Sequence, residues 1–144
     1  LDETLDPEGF FRTGDAGYLD EVGRLFWHGR LSDIIKTGGA NVSPLEVDEA
    51  IANYSGVKVT QTVGVPHETF GEVVVACVVP HDGASLDAEE IRGYLRDQLA
   101  SYKVPRHVLF FRDDEVALTG SDKIKSGELR ELAVQRLSKL AADR

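Results

Sequence analysis

The 144-residue chain has no methionine, one cysteine, one tryptophan and five prolines, and it is short of basic charge: 16 Lys and Arg stand against 25 Asp and Glu, a formal net of −9. Each shortage excludes something. A lone cysteine, Cys77, can form neither an internal disulfide nor a multi-cysteine zinc site. Its apolar surroundings at 73–79 mark it as a buried thiol in a reducing compartment, with the cytoplasm as default. No stretch approaches the roughly 18–20 consecutive apolar residues of a membrane span, and the acidic start Leu1-Asp2-Glu3 is the reverse of a signal peptide. The shortage of Lys and Arg argues against nucleic-acid binding, which runs on phosphate neutralisation. His28, His67, His81 and His107 fall at unrelated spacings, so no metal site is expected. A Gly-x-Ser-x-Gly elbow and a phosphate loop of the Gly-x-x-x-x-Gly-Lys-Ser/Thr type are both absent. Without a methionine there is no initiator residue, so the chain is expected to be processed or to be a piece of something longer.

What remains is a composition that builds a core. Apolar residues make up 42% and charged residues 28%, which fits one domain, or one and a small piece. The acidity is uneven, since residues 1–33 carry 8 acids and 3 bases. That segment reads as short extended pieces separated by the turns Pro7-Glu8-Gly9, Thr13-Gly14-Asp15 and Asp20-Glu21-Val22-Gly23. Its aromatic and apolar residues are too few to support free-standing hairpins, so something else must cover them.

From Asp33 onward the pattern is mixed. Ser43-Pro44-Leu45-Glu46 reads as a capping serine, a proline at the first helical position and a capping-box glutamate, predicting a helix from 44 to about 54. The β-branched runs at 57–65 and 73–79 predict two paired strands. Asp87 and Glu90 cap a second helix, with Leu86 able to staple onto Ile91, and Ile91, Leu95 and Leu99 recur along one face. A short strand at 107–112 and a last amphipathic helix bearing Leu129, Leu132, Ala133, Leu137 and Leu140 complete the order helix, strand, strand, helix, strand, helix. The expected fold is α+β, a small mixed sheet covered by helices and preceded by short β hairpins.

Three segments are unusual for plain scaffolding. In Phe11-Arg12-Thr13-Gly14-Asp15 an acceptor-only carboxylate follows a glycine at a turn; it could accept two sugar hydroxyls, or be an ordinary turn aspartate. In the run from Gly29-Arg30 through Ser32, Lys36, Gly38-Gly39 and Asn41 to Pro44, the glycine pair could let backbone approach a ligand or could simply turn a hairpin. In Leu118-Thr119-Gly120-Ser121-Asp122-Lys123-Ile124-Lys125-Ser126-Gly127, small polar residues surround Lys123 just before the last helix. That describes a loop presenting a cation to phosphate or developing negative charge, or else a solvated lysine.

In this order, and together with Val63-Gly64-Val65-Pro66, Phe70-Gly71-Glu72 and Tyr102-Lys103-Val104-Pro105, the three segments resemble the AMP-forming adenylating enzymes. This superfamily includes acyl-CoA synthetases, peptide-synthesis adenylation domains and firefly-type luciferases; the wording is most similar to an acyl-CoA synthetase from about Gly9 on. The resemblance implies that residues 1–32 are terminal strands of a large N-terminal domain missing from this chain, and 33–144 a mobile C-terminal domain. It implies ATP with magnesium, a carboxylic acid and CoA as the reaction's components. By the same resemblance, Asp15 and Arg30 hold the nucleotide and Lys123 serves adenylation. Lys36 serves the thiol step, Gly38, Gly39 and Asn41 line the pantetheine tunnel, and Ser32 is the hinge, where relatives usually carry aspartate or lysine. Asp122 and Leu118 stand where glycine and proline are common. The rival expectations are a stand-alone nucleotide- or CoA-binding regulatory module and an adenylation domain that loads a carrier protein.

Overall fold

The computed structural model describes residues 5–116 and 126–142. It begins with a two-stranded antiparallel ribbon, β1 (Asp15–Leu19) and β2 (Leu25–Arg30), in register from Asp15↔Arg30 to Leu19↔Leu25. The Asp20 carboxylate shapes its turn, accepting the backbone N–H groups of Val22 (3.0 Å) and Arg24 (2.8 Å). A bulge falls between Ala16 and Gly17, where a Cβ on Gly17 would meet the Phe26 carbonyl oxygen at 2.8 Å. A 3-10 turn, Leu31–Asp33, leads out of the ribbon.

The rest is a five-stranded sheet organised around β6 (Gly71–Pro80). Strand β5 (Val57–His67) pairs with it antiparallel, and β7 (His107–Phe110) pairs with it in parallel through Val75↔His107 to Val78↔Phe110. The hairpin of β3 (Ile35–Thr37) and β4 (Ala40–Val42) touches the start of β6 through Thr37↔Gly71. Pairing on both sides buries β6, and its side chains alternate between two cores. Val73, Val75, Cys77 and Val79 pack with Val63, Val65, Leu109, Phe111, Leu129 and Ala133, beneath α3 (Ser126–Ala142). Val74, Ala76 and Val78 pack with Ile35, Val42, Val47, Ile51, Ile91 and Leu95, beneath α1 (Pro44–Ala52) and α2 (Ala88–Arg96). Each fully buried aliphatic side chain contributes about 1.5–3 kcal/mol, so the two faces stabilise the sheet from both sides. Burial pushes the Cys77 thiol up to about 12, which keeps it protonated and inert.

The α+β layering matches the expectation, with three differences. The β3–β4 hairpin adds two strands, because three-residue strands are too short to show a period. Its turn is Gly38-Gly39 with φ of +57° and +82°, the conformation of a two-residue hairpin that glycine supplies without strain. The 57–65 strand continues through Pro66 and His67, because the His67 Nδ1 accepts the N–H groups of Thr69 and Phe70 and closes a tight turn. The serine half of the expected capping box is not made: Ser43 is the N-cap residue, but its side chain forms no cap hydrogen bond. Glu46 accepts from Lys103 Nζ at 2.9 Å, tying the first turn of α1 to the 3-10 turn Ser101–Lys103. The second helix is capped as expected, with Asp87 Oδ1 accepting from the Glu90 N–H.

Candidate functional site

The ribbon register places two of the sequence candidates opposite one another. Asp15 opens β1 and Arg30 closes β2, and the Arg30 guanidinium donates to Asp15 Oδ1 at 3.2 Å. Gly14, at φ +78°, lets the guanidinium close in, since a Cβ there would lie 3.3 Å from Arg30 Nη2. Hydrogen bonding from Thr13 and from Trp27, with the Arg30 charge beside it, holds the Asp15 carboxyl below its ordinary value of 3.8. Asp15 therefore stays an ionised acceptor next to a cation, suited to hydroxyls on one side and an anion on the other.

A cavity of about 510 Å³ is lined by Arg30 of this pair, though not by Asp15, and by Ser32, Asp33, Asp48, Thr62 and Glu72 among others. Ser32 sits within the 3-10 turn that joins ribbon to sheet, so any swing of one against the other passes through its dihedrals. The remaining candidates belong to the β3–β4 hairpin. Lys36 lies opposite Asn41 in the ladder and both are exposed. Gly38 donates its N–H to the Phe70 carbonyl (3.0 Å) and lines a second groove of about 480 Å³ with Phe70, Arg92, Tyr102 and Arg106. The two cavities share no lining residue, so Arg30 and Ser32 lie at one and Gly38 at the other. Gly39 and Asn41 complete the hairpin without lining either cavity. Lys123, together with Leu118, Asp122 and the rest of 117–125, lies outside the described residues, whereas Ser126 and Gly127 open α3 and line the first cavity.

Sequence reasoning gave no individual role to Phe70, Tyr102, Arg106, Glu72 or Arg130. The Arg106 guanidinium lies 5.4 Å from the Phe70 ring centre, giving the second groove an aromatic face and a cation side by side. Glu72 reaches across β5 toward Arg130 of α3, at 3.5 Å. The sequence did hold a signal for this, an isolated glycine, Gly64, in an otherwise β-branched strand.

The architecture is a small layered α+β domain, with a ribbon-borne Asp–Arg pair whose arginine lines one cavity and a glycine-turned hairpin at another. The chain belongs to the AMP-binding enzyme C-terminal domain family, whose model matches residues 46–123. A feruloyl-CoA synthase of Amycolatopsis sp is 42% identical over 123 residues, covering 85% of this chain and 25% of that protein. A 2-succinylbenzoate–CoA ligase of Listeria monocytogenes is 39% identical over 124 residues, covering 86% and 26%. The crystal structure of ATP-bound MatB from Rhodopseudomonas palustris superposes with a TM-score of 0.81 at 37% identity, over 91% of this chain and 26% of that one. The chain thus spans about a quarter of the length of the curated relatives it matches. No helix among the described residues is long and apolar enough to cross a membrane.

Proposed function

We propose that this chain supplies the C-terminal part of an ATP-dependent, AMP-forming acyl-CoA ligase of the cytoplasm, with residues 1–32 ending the large domain and 33–144 forming the mobile one. The observation that carries the reading is the Asp15–Arg30 pair, set at 3.2 Å across the ribbon, whose arginine lines a cavity. The names of the relatives, feruloyl-CoA synthase and 2-succinylbenzoate–CoA ligase, favour CoA over a carrier protein as the acceptor.

In the first half-reaction a substrate carboxylate oxygen attacks the α-phosphorus of ATP, and pyrophosphate leaves. Asp15 accepts the ribose hydroxyls, Arg30 holds the same nucleotide, and Lys123 stabilises the crowded anionic transition state. In the second, the CoA thiol, losing its proton, attacks the acyl carbon and AMP departs. Lys36 attends this step, and the side-chain-free turn Gly38-Gly39 with Asn41 admits the thin pantetheine arm. The groove beside Gly38 suits the nucleotide end of CoA, with Phe70 and Tyr102 for a base and Arg92 and Arg106 for phosphates. Ser32 is the hinge between the two arrangements. Magnesium enters with the triphosphate. Among the described residues no group of three or more His, Cys, Asp or Glu side chains could hold an ion.

The test uses the ligase that carries this chain. Lys123→Ala should lower ATP–pyrophosphate exchange by about 100-fold or more, the scale of losing a transition-state charge partner, while conversion of preformed acyl-adenylate by CoA persists. Asp15→Ala should raise the KM for ATP. Unchanged exchange in Lys123→Ala overturns the reading.

A further inference from the structure

The β3–β4 hairpin buries Ile35 and Val42 in the core, but its backbone ladder to β6 is short. Its ladder register with β6 is the single pair Thr37↔Gly71, and the Gly38 N–H donates to the Phe70 carbonyl in the turn before it. At the next position toward Ser32 the ladder is replaced by a side chain: the Lys36 backbone N–H donates to Glu72 Oε1 at 3.2 Å. The other carboxylate oxygen, Oε2, lies 3.5 Å from Arg130 Nη2 on α3. Room for this comes from Gly64 on β5, where a Cβ would fall 2.5 Å from Glu72 Oε2 and 3.2 Å from Ile35 Cγ1. One carboxylate therefore joins the hairpin strand, the central strand and the C-terminal helix, and it does so at a glycine that admits no side chain without displacing it.

We propose that Glu72 is the positioning residue of the Lys36 hairpin: held by Arg130 and admitted by Gly64, its carboxylate fixes the Lys36 backbone so that Lys36 and the Gly38-Gly39 turn meet the acceptor thiol in the second half-reaction. The proposal rests on the ligase reading for its last clause only. Glu72 touches no reacting atom; it acts through the strand it holds. Glutamine keeps an acceptor for the Lys36 N–H and loses the charge facing Arg130, whereas alanine loses both.

Two measurements test it. Amide exchange on the 144-residue chain should show the Lys36 N–H exchanging about tenfold faster in Glu72→Ala, the scale of one lost hydrogen bond to a charged group. The amides of β5 should keep their rates. Gly64→Ala retains the glutamate but crowds it, and should reproduce the effect without removing any polar group. In the ligase, Glu72→Ala should slow thioester formation from preformed acyl-adenylate about tenfold, and Glu72→Gln should recover most of the loss. Unchanged Lys36 exchange in both Glu72→Ala and Gly64→Ala overturns the proposal, as does unchanged thioester formation in Glu72→Ala. If the wild-type ligase formed no acyl-adenylate, the functional reading would fail by itself, and the exchange data would still decide whether Glu72 positions the strand.

Discussion

The ribbon β1–β2 and the sheet around β6 draw on similar apolar residues and treat them in opposite ways. Tyr18, Leu25 and Trp27 on the ribbon are half to three-quarters exposed, while Val75, Val78, Ile91 and Leu95 are completely covered. A two-stranded ribbon has no second layer to pack against, whereas the sheet has α3 on one face and α1 with α2 on the other. The ribbon keeps its shape through polar contacts instead: the Asp20 turn, the stacked rings of Tyr18 and Phe26 at 5.0 Å, and the Asp15–Arg30 pair. The nucleotide candidates thus ride on a hydrogen-bonded scaffold and the Lys36 hairpin on a packed one. Two parts of one proposed reaction cycle should therefore respond differently to mutation and to pH.

The largest effect separating them should come from the core. Leu95→Ala removes a fully buried side chain between α2 and the sheet and should lower unfolding stability by about 2–5 kcal/mol. Phe26→Ala on the ribbon, with its ring already 39% exposed, should change it by less than about 1 kcal/mol. Urea unfolding measures both, with alkylation of the buried Cys77 as a second probe of core opening. Equal losses would break the comparison and show that the ribbon shares the core's cooperativity.

Much of the packed part was legible in the sequence for local reasons. Proline at the start of α1, Asp87 with Glu90 at α2 and the β-branched runs of β5 and β6 each declare their state within a few residues. What the sequence hid is what depends on distant partners. Ser43 and Glu46 have capping-box spacing, yet the Ser43 side chain makes no cap bond and Glu46 pairs with Lys103, 57 positions further on. Asp15 and Arg30 were each visible as candidates, but only the ribbon register sets them face to face. Glu72 carries no motif of its own chemistry; its use is announced by the glycine it crosses.

A smaller effect should sharpen the contrast inside the sheet domain. Lys103→Met removes the cation that pins α1 to the Ser101–Lys103 turn beside the second groove, a half-buried pair of the kind that contributes about 0.5–1 kcal/mol. Thermal unfolding should fall by a few degrees at most, and the amides of the first turn of α1 should exchange faster while those of β6 hold. Loss of protection along β6 would mean that the pin supports the core and not just the turn.

The smallest effect is a difference in pH response, and its sign follows from the two kinds of ion pair. Backbone N–H donation from Arg24 holds Asp20 below 3.8, and hydrogen bonding from Thr13 does the same for Asp15. Their contribution is present above that ordinary value and is lost as pH falls through the lower folded values. The hydrogen bond to Glu46 raises Lys103 above 10.5, so its contribution is complete below that value and is lost as pH rises through the higher folded one. Acid should therefore loosen the ribbon and alkali the α1 pin. In amide spectra taken from about pH 5 down to about pH 2, the resonances of β1 and β2 should shift before those of β5 and β6, and Asp20→Asn should weaken that early step. Simultaneous loss of both regions in acid would show that burial, and not the aspartates, sets the ribbon's stability.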